Sequence, residues 1–424
     1  MFDFIYKKKE EGKYSKTYIC GICFTQKIKY SEIYKQVKKN YDKVIKRLKD
    51  EVKQRPLRVM FLVSEKQKWG CQSLYEGLLA DKYFEPVIAV SCVLDKNGQL
   101  KTERPSVEEN ATFFRERGMN VVEVCDNNGY SDISKYNPDI IFYQQPWNIP
   151  DIHHPIKMSK TALCCYCSYS IAGAKTASMK KQDFFYSLWK YFLVHDCMKE
   201  EFSEWMKYNL ESLVVTGHPK LDVYMNYTSS DYKASKHYVI YAPHFSVGKS
   251  ILGFSTFDWS GQFMLEYARK HPEINWVFKP HPRLKGHFQE QNYMTKEEID
   301  NYYDEWAQVA LVYDEGDYFD IFKNSDAMIT DCGSFCTEYF FTGKPLLHLI
   351  SENSKQHSAL NRLVNANHYS ISNRETLEKY LDEVVINKND FLKDVRSKAL
   401  NDIFQNKLDS ASNVINHIKK ELEI

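Results

Sequence analysis

Residues 326–349 combine side chains that suit phosphate and ribose with a predicted junction of strand and helix. A short apolar run ends just before Asp331; Gly333 and Ser334 follow it, and the next helical pattern carries Glu338. Gly333 would permit a sharp turn and Ser334 would cap the helix, whose first free N–H groups would attract an anion. About one turn beyond Ser334, the Glu338 carboxylate could accept two ribose hydroxyls. The alternative is an ordinary strand-to-helix junction with a capping serine.

A second group of candidates follows a buried-type strand upstream. Lys279, His281 and Arg283 stand at alternating positions, and two prolines stiffen their loop. The three side chains would share one side of the chain. Lys and Arg could there neutralise a diphosphate, while His donates to the leaving phosphate. The alternative is a solvated basic loop.

Two more histidines follow predicted strands that break at a proline. His218 lies in a Gly-His-Pro turn within residues 214–222, and His244 lies at the tip of residues 238–246. We predict that His244 contacts a donor or acceptor phosphate and that His218 belongs with the donor-binding residues. For His244 the alternative is a turn cap.

The order of these segments resembles the CDP-glycerol glycerophosphotransferase family, which includes the teichoic acid polymerases. The resemblance implies an α/β protein of the GT-B class, with two Rossmann-like domains facing across a cleft and the donor held by the C-terminal half. It implies that His281 and Arg283 contact the donor diphosphate. It also implies that Ser334 and its backbone hold the distal phosphate and that Glu338 binds the ribose. The segments that carry it are 214–222, 238–246, 279–283, 314–321 and 330–338.

The chain departs from the family pattern in two places. Cys332 and Gly333 stand where the family usually has an acidic or serine-rich turn. The family's Trp-His-Gly loop, whose histidine is the proposed base, corresponds here to residues 166–175, which contain no histidine. The base or the acceptor would therefore differ from the polymerase pattern.

Candidates for the missing base lie in loops that follow the N-terminal strands, because ligands of open α/β sheets bind beyond the carboxyl ends of strands. Glu65 is the first choice, since a carboxylate partly desolvated against Trp69 could have the raised pKa that a general base requires. His153 and His154 are the next candidates. The alternative for Glu65 is a solvated loop position.

Apolar runs alternate with helical patterns along the chain, which is typical of doubly wound α/β domains. Within residues 1–55 we expect a basic leader with an amphipathic helix, and within 56–215 an N-terminal Rossmann-like acceptor domain. Residues 216–373 would bind the nucleotide donor, and helices within 374–424 would cross back to the N-terminal domain. The predicted N-terminal strands are Pro56–Val63, Pro86–Val90, Asn120–Val124, Ile140–Tyr143, Ala162–Tyr166 and Phe192–His195.

Charge and cysteine content exclude several classes of site. The net charge of +1 offers no general argument for nucleic-acid binding, so we expect none. The 11 cysteines show no regular pairing. Cys164, Cys165 and Cys167 are therefore interpreted as small reduced side chains, which indicates the cytoplasm, and their spacing is too close for zinc. No suitable Asp-x-Asp pair follows a strand, so we expect neither a metal nor a cofactor.

The leader is strongly basic, with 17 Lys or Arg against 7 Asp or Glu in the first 58 residues. Residues 31–50 combine an apolar helical stripe with many lysines, which predicts contact with an anionic membrane surface. The alternative is a helix that docks its stripe on the protein. We see neither a membrane-spanning run nor a secretory core, so we expect a cytoplasmic protein, peripheral on the inner face of the membrane. Residues 16–27 look like a short leader of bacterial capsule and lipooligosaccharide glycosyltransferases.

Together these features predict a transferase with a CDP-activated donor, CDP-glycerol or a related CDP-polyol. It would move a glycerol-phosphate or related polyol-phosphate group to a glycan or lipid-linked acceptor in the synthesis of a bacterial capsule or cell-surface polymer. The first alternative is a GT-B glycosyltransferase that uses a nucleotide sugar. The second is an inactive GT-B scaffold subunit.

Overall fold

The computed structural model divides into two compact units. Unit 1 comprises Met1–Ser170, Thr176–Asp222 and Asp409–Ile424, and unit 2 comprises Ile171–Lys175 and Val223–Leu408. Part of the predicted loop 166–175 and part of segment 314–321 lie outside the described residues. The structure describes residues 6–11, 14–19, 22–27, 29–93, 106–126, 129–171, 182–225, 238–248, 252–314, 318–354, 358–404 and 409–424.

Unit 1 begins with a small antiparallel sheet and a long helix. Strand β2 pairs with both β1 and β3. The elements are β1 (Tyr6–Glu11), β2 (Tyr14–Ile19), β3 (Ile22–Lys27) and helix α1 (Tyr30–Glu51).

The main sheet of unit 1 has seven parallel strands in the order β12-β11-β10-β9-β4-β5-β6. Most of its strands are apolar runs buried on both faces, as parallel sheets covered by helices require. The strands are β4 (Leu57–Val63), β5 (Phe84–Val90), β6 (Val121–Glu123), β9 (Ile140–Tyr143), β10 (Leu163–Cys167), β11 (Lys190–Leu193) and β12 (Leu213–Val215), with a separate hairpin of β7 (Cys125–Asp126) and β8 (Gly129–Tyr130). The helices are α2 (Gln72–Ala80), α3 (Val107–Arg115), α4 (Pro155–Met158), α5 (Gln182–Tyr186) and α6 (Asp196–Ser203).

Unit 2 contains a second parallel sheet, with six strands in the order β15-β14-β13-β16-β17-β18. Its strands are β13 (Tyr238–Ala242), β14 (Asn275–Phe278), β15 (Ala310–Val312), β16 (Ser325–Thr330), β17 (Leu346–Leu349) and β18 (Tyr369–Ile371). Its helices are α8 (Phe257–Lys270), α9 (Leu284–Glu290), α10 (Lys296–Ala307), α11 (Phe319–Asn324), α12 (Gly333–Phe340), α13 (Ala359–Asn365), α14 (Arg374–Tyr380) and α15 (Lys393–Phe404), after a short α7 (Asp222–Met225) at the unit boundary. The predicted α/β class with two Rossmann-like halves is therefore confirmed.

The helices after residue 374 are shared between the units. Helices α14 and α15 belong to unit 2, whereas α16 (Ser410–Leu422) belongs to unit 1. There α16 packs against α1 and α2, and the Asp222 carboxylate accepts hydrogen bonds from the backbone N–H groups of Ser410 (2.8 Å) and Ala411 (2.9 Å). Unit 1 is thus assembled from segments that are distant in sequence.

Helix α1 buries its apolar stripe within unit 1. The stripe lies where α1 packs against α5, α16 and β10, and the Tyr41 hydroxyl donates to the carbonyl of Ser187 at 2.6 Å. This is the docked helix that the sequence offered as the alternative to a membrane helix, since the stripe is not available to lipid. None of the described helices is both long enough and apolar enough to cross a bilayer. The buried stripe consists of Ile33, Val37, Tyr41, Val44 and Leu48.

The cysteines differ in part from the prediction. Cys164, Cys165 and Cys167 are buried and free, as predicted. Cys92 and Cys125 form a disulfide, which the sequence did not indicate because its cysteines show no regular pairing. Cys92 follows β5 and Cys125 begins β7, so the fold brings together two residues that are 33 positions apart in sequence.

Candidate active site

His244 lies in the loop that follows β13 and is 5% exposed. Its backbone N–H donates to Asp331 Oδ1 at 2.6 Å, and its Nδ1 accepts from the Ser246 backbone N–H at 3.3 Å, with Ser246 Oγ at 2.8 Å. Burial, and then the positive field of His287 and Arg283, lowers the pKa of His244 to about 3. The ring is therefore neutral at pH 7.

His281 and Arg283 lie beside His244. The ring centroids of His281 and His244 are 5.0 Å apart, and the Arg283 guanidinium lies 4.8 Å from the centroid of the Phe245 ring. Phe245 also contacts His281, at 4.5 Å between centroids. The structure thus brings three of the predicted residues around one aromatic ring.

Hydrogen bonding selects the tautomer of His281. Its Nδ1 accepts from the Arg283 backbone N–H at 3.1 Å, so the proton of the neutral ring is on Nε2. Burial, followed by neighbouring cationic groups that include Arg283 and Lys279, holds the pKa of His281 well below its usual value. His281 is thus a neutral donor through Nε2.

Lys279 has a different set of neighbours from His281 and Arg283. It is 3% exposed, and its ammonium lies 5.2 Å from the ring centroids of Tyr313 and Tyr318 and 5.8 Å from that of Phe335. The positive charge of Lys279 still reaches His281, whose pKa it helps to lower. Aromatic faces surround Lys279 and stabilise its charge.

Glu338 is 2% exposed and accepts a hydrogen bond from the Tyr318 hydroxyl. Tyr318 thus contacts both Lys279 and Glu338 and links the end of β14 to helix α12. Neither Tyr313 nor Tyr318 was predicted. The sequence offered little indication that these tyrosines belong to the site, because an aromatic residue more often packs in the core.

The turn between β16 and α12 corrects two expectations. Cys332, not Ser334, is the N-cap, since the helix begins at Gly333 and Ser334 is its second residue. Gly333 does not adopt a positive φ, so the turn does not depend on a left-handed glycine. Cys332 is held by a bond from its N–H to Thr330 Oγ1 (3.0 Å), and its sulfur lies 3.3 Å from Ser334 Oγ. Ser334 remains at the helix N-terminus without acting as its cap.

Asp331 connects three elements of unit 2. Oδ1 accepts from the His244 N–H, and Oδ2 accepts from the Thr256 N–H (2.7 Å) and Thr256 Oγ1 (3.0 Å). Burial raises the pKa of Asp331 to about 7 although these three bonds lower it. Both oxygens are engaged by protein donors, so Asp331 positions the His244 loop and the start of α8.

His218 lies in unit 1, whereas the residues described so far in this site lie in unit 2. Its buried ring contacts the Ser168 carbonyl and the Cys167 sulfur (3.9 Å) through Nε2, and its Nδ1 accepts from the Lys220 N–H at 3.1 Å. These bonds make it the N-cap of a short 3-10 helix, Pro219–Leu221.

Glu65 also lies in unit 1, at the end of β4. Its carboxylate forms an ion pair with Lys68, and it is 5% exposed. Trp69, which was expected to desolvate it, packs edge-on against Phe61 and Phe114 at 5.5 and 5.3 Å between centroids. Glu65 is therefore desolvated, as predicted, but its ion-pair partner is a lysine that the sequence did not indicate.

The two other histidine candidates, His153 and His154, make hydrogen bonds with the backbone of unit 1. His153 is fully buried, and its Nε2 lies 2.6 Å from the Ser131 carbonyl. His154 caps helix α4, and its Nδ1 accepts from the Ile156 N–H at 3.3 Å. Across the described ranges, no three His, Cys, Asp or Glu side chains are grouped to hold a metal ion.

Known proteins share part of this sequence and the fold of both units. Residues 167–359 match the family described as CDP-Glycerol:Poly(glycerophosphate) glycerophosphotransferase, which confirms the predicted resemblance over that region. No curated protein matches the chain by sequence.

Solved structures extend the likeness to both units. The S. aureus MnaA–UDP co-structure has a TM-score of 0.56 at 15% identity, covering 87% of this chain and 97% of that chain. The Neisseria meningitidis UDP-GlcNAc 2-epimerase bound to UDP-GlcNAc has a TM-score of 0.56 at 11% identity, covering 86% and 100%. The wall teichoic acid polymerase TagF has a TM-score of 0.53 at 12% identity, covering 92% and 98%. At such identities the likeness shows the fold alone, which is the predicted GT-B class.

Proposed function

We propose that this chain, a transferase similar to the CDP-glycerol glycerophosphotransferases over residues 167–359, moves a glycerol-phosphate or related polyol-phosphate group from a CDP-activated donor to a glycan or lipid-linked acceptor. The product would be a bacterial capsule or another cell-surface polymer. The observation that carries the proposal is the grouping of His244, His281 and Arg283 around Phe245. A neutral imidazole N–H beside a guanidinium suits a diphosphate.

In the proposed reaction the acceptor oxygen attacks the distal phosphorus in line, and the bond from that phosphorus to the CMP oxygen breaks. His281 Nε2–H donates to the leaving oxygen, and Arg283 stabilises its developing charge. Glu65 is the proposed base that takes the proton of the acceptor hydroxyl. His244 is proposed to contact a phosphate.

Donor binding is proposed to use the start of helix α12. Ser334 and the N–H groups of its first turn, beginning at Gly333, would hold the distal phosphate. Glu338 would accept the ribose hydroxyls, with Tyr318 fixing its orientation. Lys279 would supply positive charge from its aromatic surroundings. No metal or cofactor takes part in this scheme.

Titration calorimetry with CDP, CMP, UDP and GDP tests the donor assignment. We expect selective binding of CDP, and its loss in His281→Ala. The matched control is His271→Ala, because His271 precedes β14 at the opposite edge of the same sheet and pairs with Glu273 at 2.8 Å. Preference for UDP would favour a nucleotide-sugar glycosyltransferase, and binding of none would favour an inactive scaffold.

The proposed location is the cytoplasm, with reversible contact to the inner face of the membrane through residues 31–50. The apolar stripe of α1 is buried, so the contact would be electrostatic and without insertion. The exposed lysines of α1 that support it are Lys35, Lys39, Lys43 and Lys46.

Sedimentation with vesicles tests this contact. The wild type should sediment with vesicles containing anionic lipid at low salt, and remain in solution with zwitterionic vesicles or at high salt. The double variant Lys39→Glu/Lys43→Glu should lose binding, whereas Lys296→Glu, an exposed lysine of unit 2, should not. Equal binding by all three proteins would refute the role of α1.

A further inference from the structure

A second polar group lies entirely within unit 1, where β4, β9 and β10 end. Three loops meet there, after Val63, Tyr143 and Cys167. This is the edge of an open α/β sheet at which ligands bind. The aromatic–amide cluster, as we call it, consists of Glu65, Lys68, Gln144, Gln145, Trp147 and Tyr169.

Hydrogen bonds between the loops hold the cluster in place. Gln145 Oε1 accepts from Lys68 Nζ at 2.8 Å, and Gln145 Nε2 donates to the Trp147 carbonyl at 2.9 Å. Gln144 Oε1 accepts from the Gly70 N–H at 3.1 Å, and its backbone carbonyl accepts from the Tyr169 N–H at 2.9 Å. Side chains fixed in this way lose little conformational entropy when a ligand binds.

The cluster is close to neutral in charge. The ammonium of Lys68 is paired with the Glu65 carboxylate and lies 5.4 Å from the Tyr169 ring centroid and 6.0 Å from that of Trp147. The two rings meet edge to face at 6.0 Å and are both partly exposed. Aromatic faces beside paired charges and amides suit a ligand with C–H faces and hydroxyls, and an anion would gain little from a lysine already compensated.

One buried group in the cluster lacks a hydrogen-bond partner. Gln144 Nε2 is buried, with no acceptor for it among the described residues. Buried amide nitrogens are nearly always satisfied by protein, water or ligand. A hydroxyl that enters the cluster, or a water that it orders, would supply the missing acceptor.

We propose that the aromatic–amide cluster binds a neutral, hydroxyl-rich sugar ring of the acceptor, packed against Trp147 and Tyr169 and hydrogen-bonded by Lys68, Gln145 and Gln144. This inference rests on the proposed function, which it deepens by naming the acceptor as an uncharged glycan. A polymer of glycerol phosphate is then not the group held at this position.

Saturation-transfer NMR tests the inference on the full chain. The probes are glucose, galactose, N-acetylglucosamine and lactose as neutral saccharides, and glycerol 3-phosphate as the anionic one. We expect saturation of at least one saccharide and none of glycerol 3-phosphate. Trp147→Ala and Lys68→Met should each weaken saccharide binding about tenfold, because they remove a stacking face and a donor.

The controls separate binding from folding. Tyr208→Ala removes an aromatic ring of unit 1 that is 50% exposed and should leave saccharide binding unchanged. Trp147→Phe keeps a stacking face and should retain most of the binding. A thermal unfolding midpoint close to that of the wild type shows that each variant is folded.

Three results would overturn the inference: no saccharide binds, binding is equal in Trp147→Ala and the wild type, or glycerol 3-phosphate is preferred. Titration with CDP on the same samples distinguishes this failure from failure of the proposed function. Saccharide binding without CDP binding would refute the donor assignment, and CDP binding without saccharide binding would refute only the acceptor cluster.

Discussion

The two units place polar clusters at the same position of similar sheets, beyond the carboxyl ends of parallel strands, but the clusters differ in charge. In unit 2, His281 and Arg283 contact one aromatic ring, and within the described ranges the acidic partner of Arg283 is Glu290, at the edge of ion-pair distance (4.0 Å). In unit 1, Lys68 is paired directly with buried Glu65. Under the two proposals, sheet topology would set where a ligand binds, whereas local charge pairing would set which ligand charge is accepted.

Burial has opposite consequences in the two clusters. The histidines of unit 2 remain uncharged because burial and neighbouring cations depress their pKa values, so their charge appears only beside an anion. The charges of unit 1 are already matched within the protein. The first cluster is therefore suited to bind and release a diphosphate, and the second to hold a neutral group.

The largest expected effect comes from His281→Ala. Release of CMP from CDP-glycerol should fall about 10²–10³-fold, the range for loss of one hydrogen-bond donor to the charge that develops in the transition state. The rate of CMP release at saturating donor measures this effect. Tyr208→Ala is the control and should show the wild-type rate. If His281→Ala turned over at the wild-type rate, the unit 2 cluster would not be the catalytic one.

The next effect is on stability. Asp331→Ala leaves two backbone N–H groups and one hydroxyl without their acceptor, which should cost about 3 kcal/mol. CDP affinity should fall as well, because the His244 loop loses its anchor. Urea unfolding measures the loss, and Asp300→Ala, on the exposed surface of α10, should be unchanged. Full stability with normal CDP affinity would exclude the positioning role of Asp331.

A pH dependence of CDP binding should separate the two clusters. His281 is neutral in the free protein, and the negative charge of a bound diphosphate raises its pKa. Between the free and bound pKa values the ring takes up a proton on binding, so CDP affinity should increase as pH falls, by up to about tenfold per pH unit. Titration in buffers of different ionisation enthalpy measures the uptake, which His281→Gln should abolish and Lys68→Met should not.

The smallest expected effect comes from a variant that gives the unit 1 cluster a net positive charge, as in the unit 2 cluster. Glu65→Gln leaves the charge of Lys68 without its carboxylate, so unit 1 should show weak saturation transfer to glycerol 3-phosphate, which the wild type should lack. Saturation-transfer NMR with that probe checks the change, and Glu76→Gln, a glutamate on α2, is the matched control. Unchanged binding would show that pairing with Glu65 does not set the preference. The same variant should lose transfer if Glu65 is the base.

The sequence predicted the fold well because strand periodicity is local. The predicted N-terminal strands occur with ends shifted by no more than two residues, since apolar runs bounded by polar loops strongly favour buried parallel strands. The grouping of His244 with His281 and Arg283 also followed from strand ends, because adjacent parallel strands bring their following loops together.

The missed features depend on contacts that are distant in sequence. Nothing near Asp331 shows that its carboxylate accepts from Thr256, which is 75 positions away. The cap at Cys332 was missed because serine is the commoner N-cap residue. The pairing of Glu65 with Lys68 was missed because the hypothesis of a desolvated base considered only Trp69 as the neighbour of Glu65. The short 3-10 helix Lys66–Lys68 instead brings the lysine to the carboxylate.

The placement of α16 has a consequence for biosynthesis. Unit 1 needs α16, whose buried Val414, Ile418 and Leu422 cover the rest of the unit, yet α16 follows unit 2 in the chain. A ribosome must therefore complete Val223–Leu408, roughly 190 residues, before unit 1 can close. At about 5–20 residues per second, that interval lasts on the order of 10–40 s, during which the newly made unit 1 is open to chaperones and proteases.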